Sequence, residues 1–274
     1  MGLSTVKIGI IGCGNMGEAI FSRLAGVLEK STALMVSEID AKRRDYLQGR
    51  YKIIVETDNL YLSKCSDIII IAVKPKDFEE ALKALCCAAS KDKLIISIAA
   101  GVAIRHIEKA LGKDVPVIRA MPNMAAAIGE SITTLSRGSA AGDGHLAVAK
   151  EIFSLVGEVV EVDEKLVDAV TAISASGPAY FFYFLEAMMK AARALGLDAG
   201  TAERLVFKTA RGSMKLIDHL KEDPAVLRAK VASKGGTTEA ALKVFESKKF
   251  HDVVKSAVTA ACRRSKELSK KAGS

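Results

Sequence analysis

Val6-Lys7-Ile8-Gly9-Ile10-Ile11-Gly12-Cys13-Gly14-Asn15-Met16-Gly17 is the stretch that decides the fold. An apolar run of strand character leads straight into three glycines spaced G-x-G-x-x-G, and a helical pattern follows. The spacing has a mechanism: Gly12 permits a tight turn, Gly14 lets a pyrophosphate approach the backbone, and Gly17 lets the helix pack closely on the strand. N–H groups at the helix start then face the phosphates. Glycines crowd many turns, so the spacing alone is weak. The strand before it and the helix after it make it a dinucleotide-binding fingerprint.

Outward from that stretch, short apolar segments alternate with helical ones as far as residue 163, the signature of parallel β-α-β units. Segments 6–11, 34–37, 53–55, 68–73, 94–98 and 115–118 are predicted strands. After Met121-Pro122-Asn123 come a strand at 132–135, a helix at 145–155 and a strand at 159–162. Residues 68–73 are continuously apolar, as a strand covered on both faces should be. The reading is an α/β protein whose residues 1–163 form a Rossmann-type doubly wound sheet of about eight strands.

From Glu164 onward the strand pattern stops. Apolar residues recur at helical spacing through Leu166, Val170, Tyr180, Phe184, Met188, Leu195, Leu205, Leu227, Leu242 and Val253. Leu195-Gly196-Leu197-Asp198 and Glu222-Asp223-Pro224 read as helix stops and restarts. Residues 164–274 are thus expected to be an all-helical domain. Within it, Pro178-Ala179-Tyr180-Phe181-Phe182-Tyr183-Phe184-Leu185 is apolar nearly all round, more than one amphipathic face requires. Such a helix calls for cover on every side, which predicts a dimerisation surface.

Composition narrows the function classes. Half of the 274 residues are hydrophobic, enough for a substantial core. No apolar run approaches the roughly 18 residues that span a bilayer, and the N-terminus lacks the basic-then-apolar build of a secretory signal. Cys13, Cys65, Cys86, Cys87 and Cys262 are odd in number and form no C-x-x-C pair, so neither a disulfide framework nor a metal site is expected. These readings point to the cytoplasm. The net charge of +8 raises nucleic acid as a partner, but no basic element is interleaved with exposed aromatics. The densest basic group, Arg263, Arg264 and Lys266 through Lys271, closes the last helix, where cations suit the negative end of the dipole. No nucleic-acid or membrane partner is expected, and the excess positive charge helps attract a small anion.

Ligands of parallel sheets sit outside the carboxyl ends of the strands. Three predicted strand ends therefore point at a cofactor: Ala72-Val73-Lys74-Pro75, Ala99-Ala100-Gly101 and Met121-Pro122-Asn123. His106, His145, His219 and His251 fall in surface helices or at their ends, which disfavours a histidine general acid. The most unusual loop of the helical half is Ala232-Ser233-Lys234-Gly235-Gly236-Thr237-Thr238-Glu239, two glycines and two threonines opening a helix. Its N–H groups suit a substrate carboxylate, and a plain capped turn is the alternative.

Gly-Cys-Gly-Asn-Met-Gly at 12–17, Ala-Val-Lys-Pro at 72–75, Ala-Ala-Gly-Val at 99–102, Met-Pro-Asn at 121–123, Ser-Ala-Ser-Gly-Pro-Ala-Tyr at 174–180 and Gly-Gly-Thr-Thr at 235–238 stand in order along nearly the whole chain. Together they resemble the pyrroline-5-carboxylate reductase family. The resemblance implies reduction of a cyclic imine, Δ1-pyrroline-5-carboxylate, to L-proline by a nicotinamide cofactor, the last step of proline biosynthesis. It implies a Rossmann domain followed by a helical domain that interlocks with its twin, the substrate pocket at the dimer interface, and often a ring of five dimers, a decamer. By the same resemblance Ser233, Gly235, Gly236 and Thr237 hold the substrate carboxylate, Thr238 meets the ring nitrogen, and Glu164 lines the pocket. The cofactor would be bound by Gly12, Cys13, Gly14, Asn15, Met16, Gly17, Ser37, Asn59, Ala72, Val73, Lys74, Pro75, Ala99, Ala100, Gly101 and Asn123. Two positions depart from the family pattern: Lys234 replaces a proline beside the proposed carboxylate site, and Ala175 stands where glycine is common.

The run Ser37-Glu38-Ile39-Asp40-Ala41-Lys42-Arg43-Arg44 carries conflicting signals for the cofactor. An acid at this strand end accepts the ribose hydroxyls of NAD, while a serine with nearby arginines suits the 2′-phosphate of NADP. NADPH is the favoured reading and NADH the alternative. Two rival functions fit parts of the same pattern. A β-hydroxyacid dehydrogenase shares the architecture but needs a catalytic lysine early in the helical domain, where only Lys165 stands, at its edge. A non-catalytic dinucleotide sensor would bind cofactor and turn nothing over.

Overall fold

The computed structural model describes residues 3–28, 34–112 and 114–272. They form two compact units, residues 1–176 with 261–274, and residues 177–260. The first unit thus runs past Glu164 and takes back the end of the C-terminal helix.

Its sheet consists of β1 (Ile8–Ile11), β2 (Leu34–Ser37), β3 (Val55–Glu56), β4 (Ile68–Ile71), β5 (Leu94–Ser97), β6 (Val117–Met121), β7 (Ser131–Arg137) and β8 (Gly157–Glu161), in the order β3-β2-β1-β4-β5-β6-β7-β8. Neighbouring strands are parallel except β6 and β7, which run antiparallel. The reason is the connection: a parallel return needs a crossover of a dozen or more residues, and between β6 and β7 there is only a short link with a 3₁₀ turn, Met124–Ile128. The remaining connections carry α1 (Asn15–Ala25), α2 (Ala41–Tyr51), α3 (Asn59–Cys65), α4 (Phe78–Cys86), α5 (Ile104–Leu111) and α6 (Asp143–Ser154).

Alternation along the strands divides the core between the two faces of the sheet. Ile8, Ile10, Ile68 and Ile70 pack with Phe21 and Leu24 of α1 and Phe153 of α6. Ile69, Ile71 and Ile95 pack on the other side with Phe78, Leu82 and Leu85 of α4 and Ile107 of α5. Continuous apolar sequence in β4 therefore reports cover from both sides. A short helix, α7 (Val167–Val170), and a π-helical turn, Thr171–Ala175, close this stretch of the unit.

The second unit is all helix: α8 (Gly177–Ala194), α9 (Ala199–Leu220), α10 (Pro224–Val231), α11 (Thr237–Ser247) and the start of α12 (Phe250–Ala272). Asp198 caps α9 by accepting from the Thr201 N–H, and Asp223 caps α10 by accepting from the Ala225 N–H, at the predicted restarts. The C-terminal end of α12 belongs to the first unit, where the Ser265 hydroxyl donates to Asp168 at 2.6 Å. Among the described residues no helix is long and apolar enough to cross a membrane.

Candidate functional site

A cleft of about 920 Å³ opens across the carboxyl ends of the strands in the first unit. It straddles β1 and β4, where the winding of the sheet reverses and where doubly wound sheets bind their ligands. Gly12, Gly14, Asn15 and Met16 line it from the turn after β1, and Ala72, Val73 and Lys74 from the turn after β4. Ala99 and Ala100 line it beyond β5, and Ser37 and Asn59 at the β2 side. The cleft thus gathers most of the residues expected to bind the cofactor.

Five of those residues lie outside its lining. Cys13 is buried, and burial pushes its thiol up to about 12, so the thiolate is scarce at neutral pH and redox chemistry there is disfavoured. Gly17 is packed inside the first turn of α1, where a Cβ would collide with the Gly12 carbonyl oxygen. Pro75 starts the 3₁₀ turn after β4. Gly101 takes a φ of +80° and packs against the backbone of Leu268. Asn123 is buried, its side chain accepting from the Ala125 N–H and its own N–H donating to Ser131 Oγ.

Gly14 tests whether the cleft fits a dinucleotide. Its φ is −65°, an ordinary value, and a Cβ there would meet nothing within 4 Å. Neither backbone strain nor packing within the chain requires glycine at this place. A phosphate group drawn against the backbone at the start of α1 does require it. The residues present therefore fit the cofactor that the fingerprint implies.

Around the β2 tip the structure adds partners that the motif does not show. Glu38 accepts from the Cys13 N–H at 2.9 Å and from the Asp40 N–H at 3.0 Å. Arg43 donates through Nε to the Cys13 carbonyl at 2.7 Å and through Nη2 to the Gly14 carbonyl and Glu18. Burial pushes the Glu18 carboxyl up, but hydrogen bonds from Tyr51 and Arg43 outweigh it and hold the group below its ordinary value. Arg43 thereby straps the glycine turn to α1 from α2. Only long-range folding reveals this, since Arg43 and Cys13 are 30 positions apart.

Glu164 sits at the foot of α5. Its Oε1 accepts from the Ile104 N–H at 2.7 Å and from Arg119 Nη1 at 3.1 Å. Arg119 is buried in β6, and its Nε has no hydrogen-bond partner among the described residues. Glu164 therefore satisfies one of the N–H groups at the start of α5, just after the Ala99–Gly101 loop. Neither contact is visible in local pattern, because the partners stand 60 and 45 positions apart.

Loop 233–238 belongs to the second unit and opens α11, with Gly236 as its N-cap. Gly235 takes a φ of +73°, and its N–H donates to Glu239 Oε2 at 2.5 Å. That bond, then the ion pair with Lys243 at 3.0 Å, holds the Glu239 carboxyl below its ordinary value. The Gly236 N–H donates to the Ser233 carbonyl. Ser233 and Lys234 are exposed, while Thr238 is half-buried in the first turn of the helix. His106, His145, His219 and His251 lie on α5, α6, α9 and α12, and none lines the cleft.

A doubly wound sheet with this cleft, followed by a helical unit, defines the chain as a dinucleotide-binding protein of the Rossmann class. Residues 164–268 match the family model of pyrroline-5-carboxylate reductase dimerisation, and residues 7–101 match that of NADP oxidoreductase, coenzyme F420-dependent. The chain is 42% identical over 270 residues to a pyrroline-5-carboxylate reductase of Synechocystis, covering 97% of this chain and 100% of that one. It is 35% identical to one of Pseudomonas aeruginosa, covering 99% and 100%. A crystal structure of Plasmodium falciparum pyrroline carboxylate reductase with NADP bound superposes with a TM-score of 0.88 at 28% identity, covering 98% and 100%. The chain belongs to the pyrroline-5-carboxylate reductase family, as its six ordered motifs implied. The β-hydroxyacid dehydrogenase reading falls with that assignment, and Lys165, the lysine it would have used, is exposed and ion-paired with Asp163 at 2.8 Å.

Proposed function

We propose that this protein reduces the C=N bond of Δ1-pyrroline-5-carboxylate to give L-proline, the last step of proline biosynthesis, as an NAD(P)H-dependent oxidoreductase. The observation that carries the reading is the intact Gly-Gly-Thr-Thr run at 235–238 opening α11, in a chain that matches a family member over 97% of its length. The cofactor would be held by the glycine turn after β1 and the strand ends at Ala72–Lys74 and Ala99–Ala100, and it supplies hydride. Two signals meet at the tip of β2, Ser37 with the neighbouring arginines for NADPH and Glu38 for NADH.

The protein's own work is placement. Protonation of the imine nitrogen before hydride arrives removes the need for a strong acid, so rate comes from orientation and from holding the carboxylate. The first N–H groups of α11 lack acceptors within the helix and suit that carboxylate. Because Glu239 already engages the Gly235 N–H, the donors nearest the threonines carry most of the anchoring. Thr238 Oγ1 either supplies that proton or, once the ring nitrogen carries it, accepts from the iminium N–H and so orients the ring, and Glu164 lines the pocket while its Oε1 stays anchored at α5.

The helical half serves as the homodimer surface, with a decamer as the higher assembly. The apolar side chains exposed on α8 support this reading: Phe181 is 64% and Tyr183 74% exposed in the single chain. A cytoplasmic setting is supported by five cysteines that are all free. The test is loss of reduced-cofactor absorbance on adding pyrroline-5-carboxylate, run in parallel with NADPH and NADH. Rapid turnover is expected. Folded protein that binds cofactor and turns over neither mixture would overturn the reductase reading in favour of a sensor.

A further inference from the structure

The tip of β2 carries more information about the dinucleotide than the motif around it. In a doubly wound sheet this strand end faces the adenosine ribose, whose 2′ position bears either a hydroxyl or a phosphate. Glu38, Ile39 and Asp40 all line the cleft there. The Glu38 carboxylate is pinned by the N–H groups of Cys13 and Asp40, beside the glycine turn. Its position is set by backbone, so it does not swing aside at small cost.

The groups that would welcome a phosphate are occupied. The Ser37 hydroxyl is fully buried and donates to Asn59 Oδ1 at 2.6 Å. Arg43 serves two backbone carbonyls and the Glu18 carboxylate, and lies over the Tyr46 ring at 4.9 Å. Arg44 donates through Nη1 to the carbonyls of Glu38 and Ile39. The lysines that line the cleft, Lys74 and Lys76, stand on the turn after β4, across β1 from the β2 tip.

The geometry points to Glu38 as the residue that sets the dinucleotide preference of this chain, and to NADH as the form it selects. The inference rests on the cleft's being the cofactor site, as the proposed function has it. Ribose hydroxyls donate to a carboxylate in a charge-assisted bond. A 2′-phosphate in the same place would face the Glu38 charge, with Asp40 close behind, and would have to recruit an arginine from its carbonyls. Arg43 is then a strap on the glycine turn that serves both dinucleotides alike.

The test is calorimetric titration of the full-length protein with NADH and NADPH, alongside kcat/KM for each with pyrroline-5-carboxylate. Wild-type protein is expected to bind NADH at least about 10-fold more tightly than NADPH, on the scale of one unfavourable charge contact in a partly solvated cleft. Glu38→Ser is expected to move the ratio at least about 10-fold toward NADPH. Glu38→Gln keeps the shape, loses the charge and should move it the same way, which covers a folding defect in the serine variant. Arg43→Leu should weaken both forms by a similar factor. Tighter NADPH than NADH binding in the wild type, or a ratio that Glu38→Gln leaves unchanged, overturns the inference. Binding of neither form overturns it together with the cofactor site. NADH preference without reduction of the imine leaves it standing and removes the proposed activity instead.

Discussion

The four isoleucines of β4 and the aromatic run of α8 are equally apolar in sequence and opposite in environment. Ile68 is 4% exposed and Ile69, Ile70 and Ile71 are 0% exposed, whereas Phe182 is 57% and Tyr183 74% exposed. The sheet supplies cover on both faces from helices of the same chain, so β4 is complete by itself. The aromatic side chains of α8 have no such cover within the single chain, and they fall inside the stretch that matches the dimerisation family model. At about 25 cal/mol per Å², with 150–250 Å² available per aromatic side chain, such a face is worth several kcal/mol only once it is covered. One unit therefore stores its stability inside the chain and the other stores it for an interface.

The contrast breaks first at α8. The double variant Phe181→Asp/Tyr183→Asp should sediment as a monomer and lose turnover by at least about 100-fold, the scale of losing interface hot spots. Titration with dinucleotide should still show an intact cleft in that variant. An unaltered oligomer would mean that the exposed run covers something else. Thr238→Ala should come next, with kcat down by at least about 10-fold and dinucleotide affinity unchanged. An unchanged rate would remove the role given to that hydroxyl.

The first unit offers a paired test of packing against binding. Gly17→Ala forces a Cβ into the Gly12 carbonyl and should cost about 1–3 kcal/mol of stability, read as a lower Tm. Gly14→Ala meets no atom and should change stability by less than about 0.5 kcal/mol while weakening dinucleotide binding. Equal losses of stability at both positions would undo the assignment of Gly14 to the cofactor. The smallest effect expected is at Glu18, whose folded pKa is depressed from 4.5. Its contribution is complete above the unfolded value and is lost as the pH falls through the folded one. Glu18→Gln should lower stability at pH 7 by about 1 kcal/mol and flatten the loss below about pH 4.5. Parallel acid-unfolding curves for variant and wild type would exclude that role.

Legibility followed the range of the interactions. The glycine turn, the all-helical second half, and the caps at Asp198 and Asp223 could be read because each depends on neighbours a few residues away. Strand limits shifted where tertiary pairing overrode local pattern. The segment read as 132–135 became Ser131–Arg137, paired along its length with β6 and β8, and 53–55 shrank to Val55–Glu56 at the sheet edge. Ser37 and the arginines at 43 and 44 suggested a phosphate site from composition, while their actual partners are backbone carbonyls, Glu18 and Asn59. Glu164 was named through the family, yet its bond to the Ile104 N–H spans 60 positions and no pattern announces it.

By itself the amino-acid sequence determined the class of fold, the place of the dinucleotide turn and the change from sheet to helix. These depend on periodicity and on backbone freedom, which are written residue by residue. Tertiary structure alone decided which charges face the cleft at β2, which carboxylate anchors α5, and that Gly14 is spared by every neighbour. Those outcomes depend on groups brought together from distant positions, where hydrogen-bond geometry selects one partner among several of the same chemistry.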